Sequence, residues 1–169
     1  MLPEQASQAE EILRFWFEEC RPWQWFRRSD AFDRAVSARF GQLTEAAQEG
    51  ELSDWEVDQR SSLALILLLD QFSRQIWRGQ ARAYQGDRHA QRLSQVAVDQ
   101  HWLEREPQKA RRQFLLMPLL HSECLETVNR AIPLLEHWVD GATADVARRN
   151  RNMLLKHGRY LWRDQDLNR

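Results

Sequence analysis

A chain of 169 residues with 43% apolar and 29% charged side chains has the size and composition of one globular domain, spanning residues 1–169, and lies outside the disordered class. A net charge of −1 argues against a general polyanion binder, so nucleic acid is not the expected partner. Two cysteines, Cys20 and Cys124, are too few for a secreted disulfide scaffold and read as reduced thiols.

The stretch from Met1 to Glu11 is polar and acidic, with no signal-peptide core. The longest apolar run, Leu63 to Leu69, is too short to cross a bilayer, so no membrane is expected and the cytoplasm follows by default. Basic charge is almost all Arg, because the only lysines are Lys109 and Lys156. Arg forms planar bidentate pairs and stacks on rings, so its charges can be locked inside a fold. Eight Trp and seven Phe predict an aromatic-rich core.

Only helical periodicity recurs. Glu4 to Glu19 reads as a first helix that Pro22 ends, and Trp23, Trp25 and Phe26 form an aromatic connection. Asp30 is placed to cap the next helix, where Phe32, Val36, Phe40, Leu43 and Ala47 form one stripe and Gly50 closes it. Ser53 to Glu56 has the capping-box form and predicts a short helix around Trp55. Ser61 to Ile76 is the central helix. It is apolar all round from Leu63 to Leu69, and other helices should enclose it. Asp87 is placed to cap the next helix, with Ala90, Leu93, Val96 and Ala97 inward. Pro107 suits a first helical position, and Gln108 to His137 predicts two helices with a bend near Pro118. After Gly141, Thr143 caps a last helix to about His157. The expected class is all-α: antiparallel helix pairs in a bundle or a short helical array of about seven helices.

Charges on faces that should be buried mark the candidate site. Asp70 and Gln71 follow the apolar run, with Arg74 and Arg78 at successive steps of four. A carboxylate there needs partners, and two readings stand: a buried ion pair that locks helices, or a ligand site. His121 falls in the stripe Phe114, Met117, His121, Leu125 and Val128, as a satisfied core residue or an acid–base group. His121 and Cys124 could supply two ligands, but no second pair has metal-binding spacing. No metal and no cofactor are therefore expected. The basic C-terminal stretch includes Arg148, Arg149, Arg151, Lys156, Arg159, Arg163 and Arg169, and a solvated helix face accounts for it.

Several of these residues also carry a resemblance. Trp16-Phe17, Trp25-Phe26, Gly50-Glu51-Leu52, the run Leu67-Leu68-Leu69-Asp70-Gln71-Phe72 with Arg74, Arg78-Gly79, Asp87, His121-Ser122-Glu123 and Gly158-Arg159 resemble the bacterial domain-of-unknown-function family 924. The resemblance covers nearly the whole chain and implies a tetratricopeptide-like all-α fold, with no activity attached. The chain departs from the family pattern at several places. Ser73-Arg74-Gln75 stands where Pro-Arg-Asn is usual, and Cys124 replaces an acid. The closing run from His157 to Asp164 differs, and Asn150 stands where a His is usual.

Two functions follow as expectations. The first is a binding protein that takes a peptide or small anionic ligand in a cleft lined by Arg and Trp. Its polar groups would be Gln71, Arg74, Arg78, Asp87, Glu123 and Arg159. The second is an enzyme that uses Asp70 and His121 as an acid–base pair on an anionic substrate. The family histidines that are missing at Asn150 and in the closing run from His157 to Asp164 favour binding over turnover. All eight residues are expected to meet in one cleft.

Overall fold

The computed structural model describes residues 1–167, and Arg169 of the basic stretch lies outside the described residues. Among the described residues there is no strand, and no helix is long and apolar enough to cross a membrane. Eleven α-helical segments are present, and seven of them have eight residues or more. The chain divides into two compact units, one of residues 1–78 with 82–86, the other of 79–81 with 87 onward.

In the first unit, α1 (Pro3–Arg14) runs into a π-helical turn over Phe15–Glu19. That turn carries the first helix to its expected end and drives Phe15 and Trp16 into the core. The short α2 (Pro22–Trp25) follows, then α3 (Asp30–Gln48). Ser29, rather than Asp30, caps α3, because its hydroxyl accepts from the Phe32 amide at 3.3 Å. Val36, Phe40 and Ala47 point inward as the stripe predicts, joined by Thr44, whose hydroxyl donates back to the Phe40 carbonyl. Gly50 takes a φ of 79° just past the helix end, a conformation open to Gly without strain. A 3-10 turn over Ser53–Val57 buries Trp55 completely.

The central helix is α4 (Gln59–Ile66), a π-helical stretch (Leu67–Phe72) and α5 (Ser73–Ile76), one after another. Every residue from Ser61 to Ser73 is buried, as an all-apolar run requires. Phe15, Trp16, Phe32, Phe40 and Phe72 form one aromatic cluster with ring centroids 5.1–6.5 Å apart. Gly86 lies against this helix so closely that a Cβ there would sit 2.7 Å from the Leu69 carbonyl oxygen. That approach requires a residue with no side chain.

In the second unit, α6 (Asp87–Asp99) and α7 (Trp102–Arg105) precede α8 (Lys109–Leu120), α9 (Leu125–Trp138) and α10 (Gly141–His157). The α9–α10 connection is so short that the two helices must run antiparallel. Asp140 caps α10 in place of Thr143, which instead donates its amide and hydroxyl to the Asp140 carboxylate, both at 2.8 Å. These bonds hold the Asp140 carboxyl below its usual pKa. Pro107 stays outside its helix, which begins at Lys109. The expected bend at Pro118 is displaced, since α8 continues through the proline and the chain turns at residues 121–124. The reason is tertiary. The Leu120 carbonyl accepts from Asn150 Nδ2 at 2.8 Å and lies 3.0 Å from the Tyr160 hydroxyl, so side chains replace its helical partner. A last short helix, α11 (Asp164–Leu167), follows a 3-10 turn over Leu161–Arg163.

Candidate functional site

The eight candidate residues fall in both units, and each group has its own geometry. Asp70, Gln71 and Arg74 form the first group. The π-helical stretch widens the turn that carries Asp70, and such turns recur at functional sites. The Asp70 side chain is fully buried. Its Oδ2 accepts from Gln71 Nε2 at 2.8 Å and its Oδ1 from Arg74 Nη1 at 3.2 Å. The same Arg74 nitrogen donates to the Asp70 carbonyl at 2.8 Å. The Arg74 side chain keeps 20% of its surface open, and its guanidinium carbon lies 5.3 Å from the centre of the Tyr84 ring. Next along, Gln75 is buried, and its Oε1 has no hydrogen-bond partner.

Arg78 belongs to the same unit but does a different job. It grips Asp33 of α3 with two bonds of 2.7 and 3.0 Å, and the carboxylate hydrogen bond raises its pKa. Arg82 does the same one loop later. It bonds Glu45 and Gln48 of α3 and lies 4.0 Å from the centre of the Trp77 ring. Both arginines tie the end of the central helix to α3.

The second group is in the second unit, and its organiser is Arg163. Arg163 is 6% exposed. Its Nη2 donates to Asp87 Oδ2 and to the His121 carbonyl, both at 2.8 Å, and its Nη1 lies 3.7 Å from Glu123 Oε1. Glu123 also accepts the Tyr160 amide at 2.8 Å. Asp87, the His121 backbone and Glu123 thus meet around Arg163. His121 meets Arg163 through its backbone, because α8 ends before it and breaks the predicted stripe. Arg159 is half-exposed and takes Asp164 as a bidentate partner, both bonds at 3.0 Å, and that pairing raises its pKa.

Sequence reasoning passed over Arg163 and Tyr160 as site residues. Arg163 was one of many basic residues, and only its 76-residue partner Asp87 distinguishes it. Tyr160 is fully buried, its hydroxyl 2.6 Å from the Ser122 carbonyl, and burial pushes its pKa up. Asn150 and Tyr160 are both departures from the family pattern, and both hold the same turn at residues 120–122.

The two thiols differ. Burial raises Cys20 to about 11, whereas Cys124 is exposed at the start of α9 and lowered by hydrogen bonds from Thr127. Among the described residues no cluster of three His, Cys, Asp or Glu could hold a metal. Two surface cavities belong to single units. One, of about 190 Å³, is lined by Trp23, Gln24, Arg27, Ser29 and Phe32. The other, of about 260 Å³, is mostly apolar, with Val98, Leu119, Pro133 and Leu134 in its wall.

An all-helical chain with buried acid–arginine clusters is the class that these features define. A sequence model of a family described as bacterial proteins of unknown function (DUF924) matches residues 12–169, and the chain belongs to that family. The chain is also similar to the structure of a protein of unknown function from Agrobacterium tumefaciens. The two are 32% identical, with a TM-score of 0.89 over 98% of this chain and 92% of that one. No curated protein matches the chain.

Proposed function

We propose that the protein binds a small anionic ligand, carrying a carboxylate or phosphate group, through Arg74. The observation that carries this reading is the way Arg74 is held. One nitrogen is locked by the Asp70 carbonyl and carboxylate, the guanidinium faces the Tyr84 ring, and a fifth of the side chain remains open. A guanidinium oriented in advance loses little freedom when it takes a second anion, and its fork matches carboxylate and phosphate geometry. Asp70 is then an orienting group. Both of its oxygens accept bonds from its own helix, which favours a binding role over proton transfer. The unpartnered Gln75 acceptor in the same buried run supports a ligand that also offers a donor.

Titration with inorganic phosphate and with succinate, followed by the Arg74 side-chain NMR resonance, tests the reading. A saturable shift is expected for at least one anion, and Arg74→Gln should abolish the saturable response elsewhere in the spectrum. If neither anion gives a saturable shift below about 10 mM, a Kd corresponding to roughly −2.7 kcal/mol, the reading fails.

A further inference from the structure

Six of the ten arginines in the first unit are held by acids: Arg14 and Arg39 by Glu19, Arg60 by Glu10, Arg74 by Asp70, Arg78 by Asp33 and Arg82 by Glu45. Arg21, Arg27 and Arg28 are not. All three are exposed and, like Arg34, none makes an ion pair among the described residues. They lie between Cys20 and Ser29, a stretch with no acidic residue. Of the acids beside that stretch, Glu19 and Asp33 are neutralised by Arg39 and Arg78, and Glu18 with Asp30 leaves the surface net positive.

Two large aromatic side chains stand out of the same stretch, Trp23 at 62% and Phe26 at 59% exposure. They are not exposed because the segment has frayed. Trp25, between them, points inward, stacks on Trp16 at 6.1 Å and donates its indole N–H to the Trp16 carbonyl at 2.9 Å. Gln24 accepts the Arg21 amide at 2.7 Å and closes the turn. Anchored from below, the segment holds Trp23 and Phe26 outward at a fixed spacing of three. Beside Trp23 opens the cavity whose wall includes Arg27 and Phe32, with the Arg27 guanidinium carbon 5.5 Å from the Trp23 ring centre.

We propose that this surface docks an acidic peptide that carries one aromatic anchor side chain. The anchor enters the cavity between Trp23 and Phe32, and the flanking carboxylates pair with Arg27 and with Arg21 or Arg28. Aromatic and Arg side chains held rigid at a concave spot are what peptide hot spots are made of. Charge decides the sign of the partner, since three unpaired guanidiniums select an anionic chain. A bilayer surface could use the charges and the exposed rings, but it offers no side chain to fill the cavity. The proposal is independent of the Arg74 reading, because none of its residues is shared.

The test is fluorescence anisotropy with a labelled peptide of two glutamates, a phenylalanine and two further glutamates, next to its glutamine counterpart. Saturable binding to the acidic peptide is expected, at least about tenfold weaker for the glutamine peptide, and weaker again as salt rises beyond the range of screening. Trp23→Ala and Arg27→Gln should each lose about tenfold in affinity while melting like the parent, since both side chains are exposed. Arg74→Gln should bind the peptide as the parent does. Equal binding of the two peptides, no saturable binding at millimolar peptide, or variants that bind unchanged would overturn the proposal. Vesicles of one part phosphatidylserine to three of phosphatidylcholine supply the contrast. Binding that Trp23→Ala removes there, with none to the peptide, makes the surface a membrane contact and the proposal wrong.

Discussion

The two buried acid–arginine clusters use the same chemistry and reach it by opposite routes. Asp70 and Arg74 meet because they are four residues apart on one helix, and the arginine keeps an edge at the surface. Asp87 and Arg163 meet across 76 residues, and neither side chain is more than 8% exposed. A local pair is set as soon as its helix forms, and here its cation keeps a fifth of its surface open. A long-range pair exists only when the whole unit has closed, and its cation is spent on holding that closure.

The largest expected effect is at Arg163. Arg163→Ala leaves the buried Asp87 carboxylate and its neighbour Glu123 without their shared cation, and breaking such a pair costs about 3–5 kcal/mol. In a chain of this size that is a fall in Tm of roughly 10 °C by thermal denaturation. A variant that melts like the parent would erase the distinction between the clusters.

A smaller loss is expected at Asp70. Asp70→Ala removes the hydrogen bonds to Gln71 and Arg74, and bonds to a charged group are worth about 1.5–3 kcal/mol. Arg74 is partly exposed and can turn to water, so the loss should stay below that of Arg163→Ala in parallel urea melts. Should Asp70→Ala prove the more damaging of the two, the local pair and not the long-range one carries the larger structural load.

The smallest effect is at Arg159. Its bond to Asp164 is at the surface, and exposed pairs contribute little. Arg159→Ala is expected to leave Tm unchanged within measurement. A clear destabilisation would mean that the exposed pair, and not Arg163, carries the C-terminal closure.

Much of this was legible in the residues. The burial of Leu63 to Leu69 follows from an apolar run with no polar face, and the i, i+4 spacing places Arg74 on Asp70. Asp87, His121 and Glu123 were among the eight candidates, but Arg163 was not, because a single Arg among seven basic residues carries no mark of its distant partner. Helix ends were read less well than helices. Ser29 displaced Asp30 as a cap, Asp140 displaced Thr143, and the turn came after Leu120 and not at Pro118. Each cap was decided by a bond to an amide three residues on, whereas the turn was decided by Asn150 and Tyr160, which reach the Leu120 carbonyl from 30 and 40 residues away. Two π-helical turns were also missed, since their wider geometry has no composition of its own.

By itself the sequence determined the helical class, the most buried segment and the Asp70–Arg74 pair, all of which depend on neighbours within a few residues. Tertiary structure alone decided which arginine closes the second unit and which arginines stay unpaired beside Trp23. Helical periodicity is a property of the local backbone, whereas the partner of a long flexible side chain is set by whatever the rest of the unit brings within about 3 Å of it.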